Sequence, residues 1–458
     1  MNLKDDFKLL SGYGENILLE CETGKYYRIY DRNLYEQMNN YLNNDIKNEA
    51  IEKKLIDIKT IKTFCENIVP EFDSKSFKIN KLSLILTSSC NLRCKYCYAK
   101  YGLYNYKTRN NLNKIDADEI ISYFTSNFEA INTIQFFGGE PTLCVEVIAY
   151  IIKKFEKLLI NKKVSSIPKF TIITNGLNID ERLIRLIKEY NISVTFSIDG
   201  PQFINDLLRV DSNNNGSYNR VLNNYKKLMA NKVSNIGIEC TYTNEHLKHD
   251  VSLVDLIEFF KYEFGVNIVH IVPVSIPNDN SLSIKNNEDK FYSFVEELVN
   301  YTFDELITKK ELKGTVLIIQ LLENIINNNI NYSICPSGNN MFSVSYDKNI
   351  YPCFMYTSEE DLSYGKIGDN INDIIKNSYE FNNKFNNKYN VKECKRCIAK
   401  SICSSCLGNF KLESNNIKAV SNIYCNMIKI ATTIIMLRIS SIKANESKWN
   451  EFLNLLNG

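Results

Sequence analysis

From residue 81 onward, short apolar segments alternate with longer amphipathic ones. In the amphipathic segment that begins at Cys144, apolar side chains recur up to Leu159 with the helical period of about 3.6 residues. The apolar segments have the length of strands, and we predict strands at residues 82–86, 133–137, 169–173, 193–198, 235–241 and 267–272. Repeated βα units predict an α/β fold with a parallel sheet. We expect a partial (β/α)6 TIM-type barrel, with its site in the loops that follow the strands.

The first 75 residues follow a different pattern. Apolar and aromatic residues at 16–21 and 25–30 flank Glu22-Thr23-Gly24, which is a hairpin signal, and two helical stretches follow. This pattern predicts a small α+β domain, winged-helix-like, with a linker from Pro70 to Ser76.

The remaining chain divides by changes in pattern. Two helices are predicted at residues 288–306 and 314–327. The cysteine-dense stretch that follows has too little apolar periodicity for a large core, so we expect inorganic clusters to hold it together. One amphipathic helix, roughly 427–455, ends the chain. The predicted boundaries after the first domain are 76–275 for the barrel, 276–334 for a helical bridge, 335–426 for the cysteine-rich domain and 427–458 for the final helix.

Composition narrows the class of protein. The 458 residues are 44% hydrophobic and 24% charged, with a formal charge of +2, so composition gives no reason to expect a nucleic-acid or anionic-membrane partner. The longest apolar run, residues 431–437, is too short to span a membrane, and the start lacks a signal sequence. We therefore expect a cytoplasmic protein. In that compartment 14 cysteines indicate metal binding or catalysis, and three histidines leave little for imidazole chemistry.

Most of the cysteines fall into two clusters. Cys90, Cys94 and Cys97 form a C-x3-C-x2-C set. The second cluster is Cys335, Cys353, Cys394, Cys397, Cys403, Cys406 and Cys425. The four others are predicted to be buried thiols: Cys21, Cys65, Cys144 and Cys240.

The first cluster suits iron better than zinc. Three thiolates can hold a [4Fe–4S] cluster and leave one iron open to a substrate or cofactor. The alternatives are part of a zinc site or a coincidence of core cysteines. Zinc sites favour four ligands in paired C-x2-C sets, so the spacing favours the open cluster.

The segments around these cysteines resemble the radical S-adenosylmethionine enzymes. Cys90-Asn-Leu-Arg-Cys94-Lys-Tyr-Cys97 follows the first strand, as that family's cluster loop does, and Phe137-Gly-Gly-Glu-Pro141 follows the second strand and resembles its GGE motif. Thr174-Asn-Gly176 and Ser197-Ile-Asp-Gly-Pro201 follow the third and fourth strands and resemble the ribose-contacting segments. Asn205-Asp206 departs from the family's usual His-Asp.

The resemblance implies a binding site for S-adenosylmethionine. The Tyr96 backbone would contact adenine, Glu140 would face the methionine ammonium, and Arg209 would pair with the carboxylate. It implies reductive cleavage to a 5′-deoxyadenosyl radical, an oxygen-sensitive protein, and a one-electron reductant such as flavodoxin or ferredoxin. The implied cofactor-binding residues are Tyr96, Gly138, Gly139, Glu140, Thr174, Asn175, Ser197, Asp199 and Arg209.

The second cluster resembles the SPASM domain of peptide-modifying radical enzymes. Two departures are Lys348 at the usual glycine and the two-residue spacing Cys403-Ser-Ser-Cys406, which some sactipeptide synthases share. The resemblance implies two auxiliary [4Fe–4S] clusters, three in all. One would have four ligands and the other three, and the two sets are Cys394, Cys397, Cys403 and Cys425, and Cys335, Cys353 and Cys406.

An auxiliary iron without a protein ligand would suit a substrate thiolate, because iron in such clusters accepts soft sulfur. We therefore expect a ranthipeptide or sactipeptide type of maturase that forms thioethers in a ribosomally made, cysteine-rich precursor peptide (a RiPP), with Cys335, Cys353 and Cys406 at the reacting site. The alternatives are clusters that only fold the domain or relay electrons, formylglycine formation in a sulfatase, carbon–carbon cross-linking, and a non-catalytic iron–sulfur or zinc module. The N-terminal unit resembles a leader-peptide recognition domain, and a structural cap is its alternative.

Overall fold

The computed structural model describes residues 3–44, 46–59, 77–338 and 340–457. The predicted linker at 70–76, the boundary at 75 and Cys65 lie outside them. The first elements are α1 (Leu3–Asp6), β1 (Phe7–Gly12), β2 (Glu15–Glu20), β3 (Tyr26–Arg28), α2 (Arg32–Asn43) and α3 (Glu49–Ile58).

β1, β2 and β3 form an antiparallel sheet in that order. The hairpin predicted around Thr23 is therefore confirmed, whereas β1 was not predicted. Phe7 and Leu18 pack with α2 and α3 in a small core of their own. Leu10 and Ile17 lie instead in the main core, because successive side chains of a strand face opposite sides of the sheet.

Six parallel strands follow in sequence order, which confirms the predicted α/β sheet. They are β4 (Lys78–Ile85), β5 (Ala130–Phe137), β6 (Lys169–Thr174), β7 (Ser193–Ser197), β8 (Ile236–Tyr242) and β9 (Ile268–Pro273). The helices between them are α4 (Lys114–Asn127), α5 (Val145–Ile160), α6 (Glu181–Glu189), α7 (Gln202–Leu208), α8 (Tyr218–Ala230), α9 (Asn244–Lys248) and α10 (Leu253–Phe264), with a 3-10 turn at Pro141–Cys144.

The two faces of this sheet differ in polarity. Leu82 and Leu84 of β4 belong to the main apolar core. On the other face Ser83 donates a hydrogen bond to Gln135 of β5 (2.9 Å). The polar face therefore lines the inside of the partial barrel, where polar groups find partners or a ligand.

The predicted helical bridge contributes one more strand. Its elements are a 3-10 turn (Ile284–Asn287), α11 (Glu288–Asp304), a π-helical turn (Glu305–Lys309), β10 (Gly314–Thr315) and α12 (Val316–Ile326). The helix predicted from residue 314 begins at Val316, because Gly314 and Thr315 pair with β9 instead. The Thr315 hydroxyl then accepts a hydrogen bond from Ile318 N (3.4 Å) and caps the helix.

The cysteine-rich segment extends the same sheet. Its elements are β11 (Met341–Val344), β12 (Asn349–Tyr351), β13 (Gly365–Lys366), α13 (Ile371–Phe385), α14 (Lys392–Lys395), α15 (Leu407–Ser414), α16 (Asn422–Lys443) and α17 (Glu446–Asn457), with 3-10 turns at Phe354–Tyr356 and Glu360–Leu362. β11 pairs in parallel with β4, which gives a ten-stranded sheet of order β10-β9-β8-β7-β6-β5-β4-β11-β12-β13. Tyr356 and Tyr364 are buried, and each is in ring contact with the buried Phe381. The segment thus has an aromatic core that its sequence pattern did not predict.

The single final helix predicted at 427–455 is wrong, since α16 and α17 are separated at Ala444 and Asn445. The Asn445 side chain accepts a hydrogen bond from Lys448 N (3.1 Å), as a helix N-cap does. Among the described helices, α16 alone is long and apolar enough to cross a membrane. Of its most apolar window 56% is buried, and it packs on α11, α12, β1 and β2.

The left-handed backbone of Lys348 carries a first prediction. This residue, at the position where glycine was expected, has a φ of 67° in the turn between β11 and β12. Lysine is strained there and glycine is not. We expect Lys348→Gly to raise the midpoint of urea unfolding. Lys348→Gly and Lys348→Ala both lose the bond from Lys348 Nζ to Glu119 (2.8 Å), which is partly exposed and contributes little. Only the glycine variant also relieves the strain, so we expect Lys348→Ala to lower the midpoint. A lower midpoint for the glycine variant would contradict the strain inferred at Lys348.

Candidate active site

A cavity of about 380 Å³ opens at the carboxyl ends of the barrel strands. Alternate residues of two strands line it, Glu239 and Thr241 from β8 and His270 and Val272 from β9. It also brings together most of the residues predicted from the sequence: Cys90, Cys94, Tyr96, Cys97, Gly138, Gly139, Glu140, Thr174, Asn175, Ser197, Arg209 and Cys406. Asp199, Cys335 and Cys353 are not part of its lining.

Hydrogen bonds from one of its side chains and from backbone amides hold the loop with the first three cysteines. Arg93 Nη1 donates to Cys90 O (2.8 Å) and Leu92 O (2.7 Å). Two amides donate to sulfur, Leu92 N to Cys90 Sγ (3.4 Å) and Tyr101 N to Cys97 Sγ (3.2 Å). Backbone donors aimed at sulfur favour thiolates, and tuning of iron–sulfur clusters by such bonds is general.

Burial acts on these thiols in the opposite direction. It raises the pKa of Cys90 to about 11 and that of Cys94 to about 12. A metal must therefore displace protons from them. Among the described residues no group of three or more Cys, His, Asp or Glu is close enough to hold one metal ion. A four-iron cluster fits this spacing better than zinc, because each thiolate binds a different iron.

Glu140 is fully buried and organises two loops. Its Oε1 accepts hydrogen bonds from Thr142 N (3.0 Å), Thr142 Oγ1 (2.7 Å) and Thr174 Oγ1 (2.7 Å), and its Oε2 accepts one from Asn175 N (2.8 Å). Burial raises the pKa of this carboxyl group, and these bonds oppose the shift. The carboxylate was expected to face the methionine ammonium of a ligand. Its observed contacts show that it joins the loops after β5 and β6.

The two glycines before Glu140 allow one loop to pack on another. Gly139 N donates to Thr87 O (2.8 Å), and Glu140 N donates to Ser89 O (2.9 Å). A Cβ atom on Gly139 would lie only 2.2 Å from Ser89 O. The loop after β5 thus rests directly against the residues that precede Cys90, and no side chain fits between them.

Tyr96, Asp199 and Arg209 form a triad at the cavity wall, in which Asp199 and Arg209 are buried and Tyr96 is partly buried. The Tyr96 hydroxyl donates to Asp199 Oδ2 (2.6 Å), and Arg209 Nη1 donates to the Tyr96 oxygen (2.5 Å) and lies 3.8 Å from Asp199 Oδ1. Arg209 Nε is buried and has no hydrogen-bond partner among the described residues. A buried donor normally has an acceptor, so this nitrogen leaves one position for an anionic ligand such as the carboxylate of S-adenosylmethionine. The residues present fit that cofactor.

Sequence reasoning missed His246, which supports the triad from behind. Its Nε2 donates to Asp199 O (2.7 Å), and its Nδ1 accepts from Thr243 N (3.1 Å). These two bonds require the neutral ring. Burial lowers the pKa of His246 from its ordinary 6.5. Sequence alone carries only a weak signal for this role, because position N3 after a helix N-cap usually holds Glu or Gln in a capping box, and histidine there predicts none.

The neutral state of His246 gives a pH prediction. Below about pH 6.5 the imidazole takes up a proton in the unfolded chain but not in the folded one. The free energy of unfolding therefore falls as pH falls from 6.5 towards the lowered pKa, by at most about 1.4 kcal/mol per pH unit. We expect urea unfolding to show this loss between about pH 7 and pH 5.5. The decrease in the free energy of unfolding should be smaller in His246→Gln. An equal decrease in both proteins would contradict the neutral state of His246 in the fold.

The C-terminal cysteines fall into two groups in the structure. Cys394, Cys397, Cys403 and Cys425 line a second cavity of about 80 Å³. Cys406 lies near Cys335 and Cys353. Burial, followed by the charges of those two thiols, raises the pKa of Cys406 to about 12. The two groups contain the same residues as the two ligand sets that the resemblance implied, and their role as ligands stays a prediction. Cys406 alone of the smaller set lines the main cavity, where its Sγ lies 3.6 Å from Met355 Sδ.

The remaining described cysteines lie in the protein interior, as we predicted. Cys21, Cys144 and Cys240 are buried, and burial raises the pKa of each thiol. None of the three lines either cavity.

Comparison with known proteins defines the class to which this fold and site belong. Residues 84–260 match the family model described as Radical SAM superfamily. An uncharacterized protein of Methanocaldococcus jannaschii is 32% identical over 224 residues, which are 48% of this chain and 71% of that protein. The chain belongs to the radical SAM superfamily. Membership implies a [4Fe–4S] cluster and S-adenosylmethionine, as the motifs predicted.

Several relatives are similar over a longer stretch. A cysteine-type anaerobic sulfatase-maturating enzyme of Clostridium novyi is 28% identical over 373 residues, 77% of this chain and 94% of the relative. Native anSMEcpe with bound AdoMet and Cp18Cys peptide superposes with a TM-score of 0.63, 20% identity and coverage of 82% and 99%. Streptococcus suis SuiB bound to precursor peptide SuiA gives a TM-score of 0.50, 16% identity and coverage of 92% and 98%. These solved structures share the fold of this chain.

Proposed function

We propose that the protein is a radical S-adenosylmethionine peptide maturase that forms thioether bonds between cysteine sulfur and carbon in a cysteine-rich precursor peptide. One observation carries the proposal. A single cavity is lined both by the loop of Cys90, Cys94 and Cys97 and by Cys406 of the C-terminal domain. A peptide in that cavity would meet the radical source and a second set of thiolates together.

The cavity wall assigns roles to this chain's own residues. Cys90, Cys94 and Cys97 would hold the first cluster, and the free Arg209 Nε would bind the cofactor carboxylate. When bound, the cluster and S-adenosylmethionine supply a 5′-deoxyadenosyl radical that takes a hydrogen atom from a substrate carbon. Phe137 and Phe354 are in contact in the wall, with ring centroids 4.2 Å apart. Such an apolar wall keeps water away from a reactive intermediate.

The smaller cysteine group would bind the substrate thiol. Cys335, Cys353 and Cys406 would hold an auxiliary cluster with three protein ligands, and a soft peptide sulfur suits the remaining position. The four-cysteine group would hold a complete cluster. The two solved relatives with bound peptides support a peptide substrate for this chain.

The test is mass spectrometry of a small cysteine-rich peptide encoded beside this gene. The peptide is co-expressed with the protein without oxygen, reduced, and treated with a thiol alkylating reagent. We expect loss of hydrogen pairs, with the same number of cysteines protected from the reagent. An unmodified peptide, with deoxyadenosine still formed, would contradict thioether formation and retain the radical chemistry.

A second candidate is formylglycine formation in a sulfatase, which the Clostridium novyi relative favours because the similarity spans 94% of that enzyme. Against it, residues 336–342 after Cys335 contain no cysteine, where such enzymes are expected to have a further one. A sulfatase-derived cysteine peptide separates the two. Conversion of its cysteine to an aldehyde, detected with a hydrazide reagent, would favour this candidate. A peptide with two cysteines joined to carbons would favour the first.

The N-terminal sheet would bind the leader of the peptide along β3, its edge strand. Ile29 N donates to Asn16 O (2.8 Å) and Glu20 N donates to Lys25 O (2.8 Å). The amides of the alternate residues Tyr26 and Arg28 therefore point away from β2, towards the edge. A leader added as a strand would accept from them.

Proline at this edge tests leader binding. Tyr26→Pro removes one edge donor, and we expect the affinity for the leader peptide to fall about tenfold, as loss of about 1.4 kcal/mol requires. Tyr30→Ala, an exposed site beyond β3, is the matched control. Equal affinities of both variants, measured by calorimetry, would favour the structural-cap alternative.

A further inference from the structure

Lys388 is a fully buried lysine in the wall of the second cavity. Only 2% of its surface is exposed. Its neighbours in that wall include Cys394, Cys397 and Cys403. Lysine is almost never fully buried unless its charge has a partner, so its position needs an explanation.

The hydrogen bonds of Lys388 fix its charge. Nζ donates to Asn331 O (2.7 Å), Lys400 O (2.8 Å) and Cys403 O (2.7 Å). An ammonium group has three N–H donors, and a neutral amine has only two. Three carbonyl acceptors around one nitrogen match the three donors of the protonated form.

Carboxylates of the described chain do not balance this charge, because Lys388 forms none of the ion pairs found between described residues. Three other charged side chains line the cavity. Lys400 is paired with Glu22 (2.6 Å), and Glu393 and Lys429 are partly or fully exposed. An unbalanced buried cation is costly. Cys394, Cys397 and Cys403 act on this lysine electrostatically, and they would become anionic when they bind a metal cluster.

We propose that Lys388 is the fixed counter-charge of the iron–sulfur cluster that Cys394, Cys397, Cys403 and Cys425 would hold, and that it makes this cluster easier to reduce. The inference rests on the cluster assignment in the proposed function. A four-thiolate cluster is an anion that gains one more negative charge when an external one-electron reductant, such as dithionite, reduces it. A cation in the wall of the same cavity stabilises the reduced state more than the oxidised one, and low dielectric strengthens the effect.

The test is potentiometric titration of the full-length, anaerobically reconstituted protein with dithionite, followed by electron paramagnetic resonance. The signal of this cluster is the one that Cys425→Ala removes. Lys388→Gln removes the charge and keeps an N–H donor, and Lys388→Arg keeps the charge. Lys376→Gln is the matched control, since that lysine is exposed and does not line the cavity, so that water and salt screen its charge.

We expect Lys388→Gln to lower the equilibrium constant for reduction at least tenfold, which is 59 mV for one electron. Lys388→Arg and Lys376→Gln should change it less than threefold. An unchanged potential in a Lys388→Gln protein with full iron content would overturn the inference. If that variant does not retain the cluster, iron content becomes the measurement. Retention by Lys388→Arg alone supports the counter-charge, and loss from both variants overturns it.

These outcomes are separable from failure of the proposed function. A wild-type protein without iron at the four-cysteine site would contradict both the cluster assignment and the role of Lys388. Absence of thioethers in a peptide would contradict only the proposed reaction, because the titration contains no peptide.

Discussion

Replacing Cys406 with alanine is expected to abolish thioether formation while leaving deoxyadenosine production in place. Cys406 is the one member of its group that lines the main cavity, whereas the loop of Cys90 is built by separate contacts with Arg93. Loss of this thiol would remove the cavity-facing ligand of the proposed auxiliary cluster and leave the cofactor site intact. The measurement combines mass spectrometry of the peptide with chromatography of deoxyadenosine.

The matched control is Cys240→Ala. Cys240 is buried on β8 and lines neither cavity. We expect Cys240→Ala to lower the free energy of unfolding, as removal of a buried group does. Formation of the thioether and of deoxyadenosine should be unchanged. Unchanged cross-linking by Cys406→Ala would contradict the proposed role of the smaller cysteine group. Loss of both products from that variant would mean that the mutation damages the radical site as well.

The second large effect is expected at Arg209. Arg209→Lys keeps the positive charge beside Asp199 but has no equivalent of the free Nε. A hydrogen bond to a charged group contributes about 1.5–3 kcal/mol, so we expect affinity for S-adenosylmethionine to fall about 10- to 100-fold. Deoxyadenosine formation at low cofactor concentration should fall by the same factor. Equilibrium binding to the reconstituted protein measures the first quantity directly.

Arg220→Lys is the control for this substitution. Arg220 pairs with Asp211 (3.2 Å) at a half-exposed position and is not in the cavity lining. Exposed ion pairs contribute little, so we expect cofactor affinity to stay within threefold. Equal affinities of wild type and Arg209→Lys would show that Arg209 Nε does not meet the cofactor.

The barrel was predictable because its strands carry a local signal. Apolar segments such as 133–137 are separated by helical periods, and the repetition alone defines a parallel sheet. The candidate site was predictable in part, because its cysteines have recognisable spacing. The structure brings Cys90 and Arg209 to one cavity, although 118 other residues separate them in the chain.

Contacts between distant segments were not predictable. The sequence of the short segment 341–344 does not predict its pairing with β4, because that pairing depends on which edge is free in the folded sheet. Glu140 shows the same limit at the level of a side chain. Its motif suggested a ligand contact, and only the folded loops supply Thr174 and Asn175 as its donors.

The pairing of β11 with β4 has a consequence for how the chain is made. On the ribosome β4 can pair with β5 soon after synthesis, but its other edge stays open until β11 has emerged. An unpaired strand edge invites association between nascent chains. Synthesis that stops before residue 341 should therefore give a fragment that aggregates, even though all six central strands are present. The cysteine-rich segment thus closes this edge of the barrel once β11 has been synthesised.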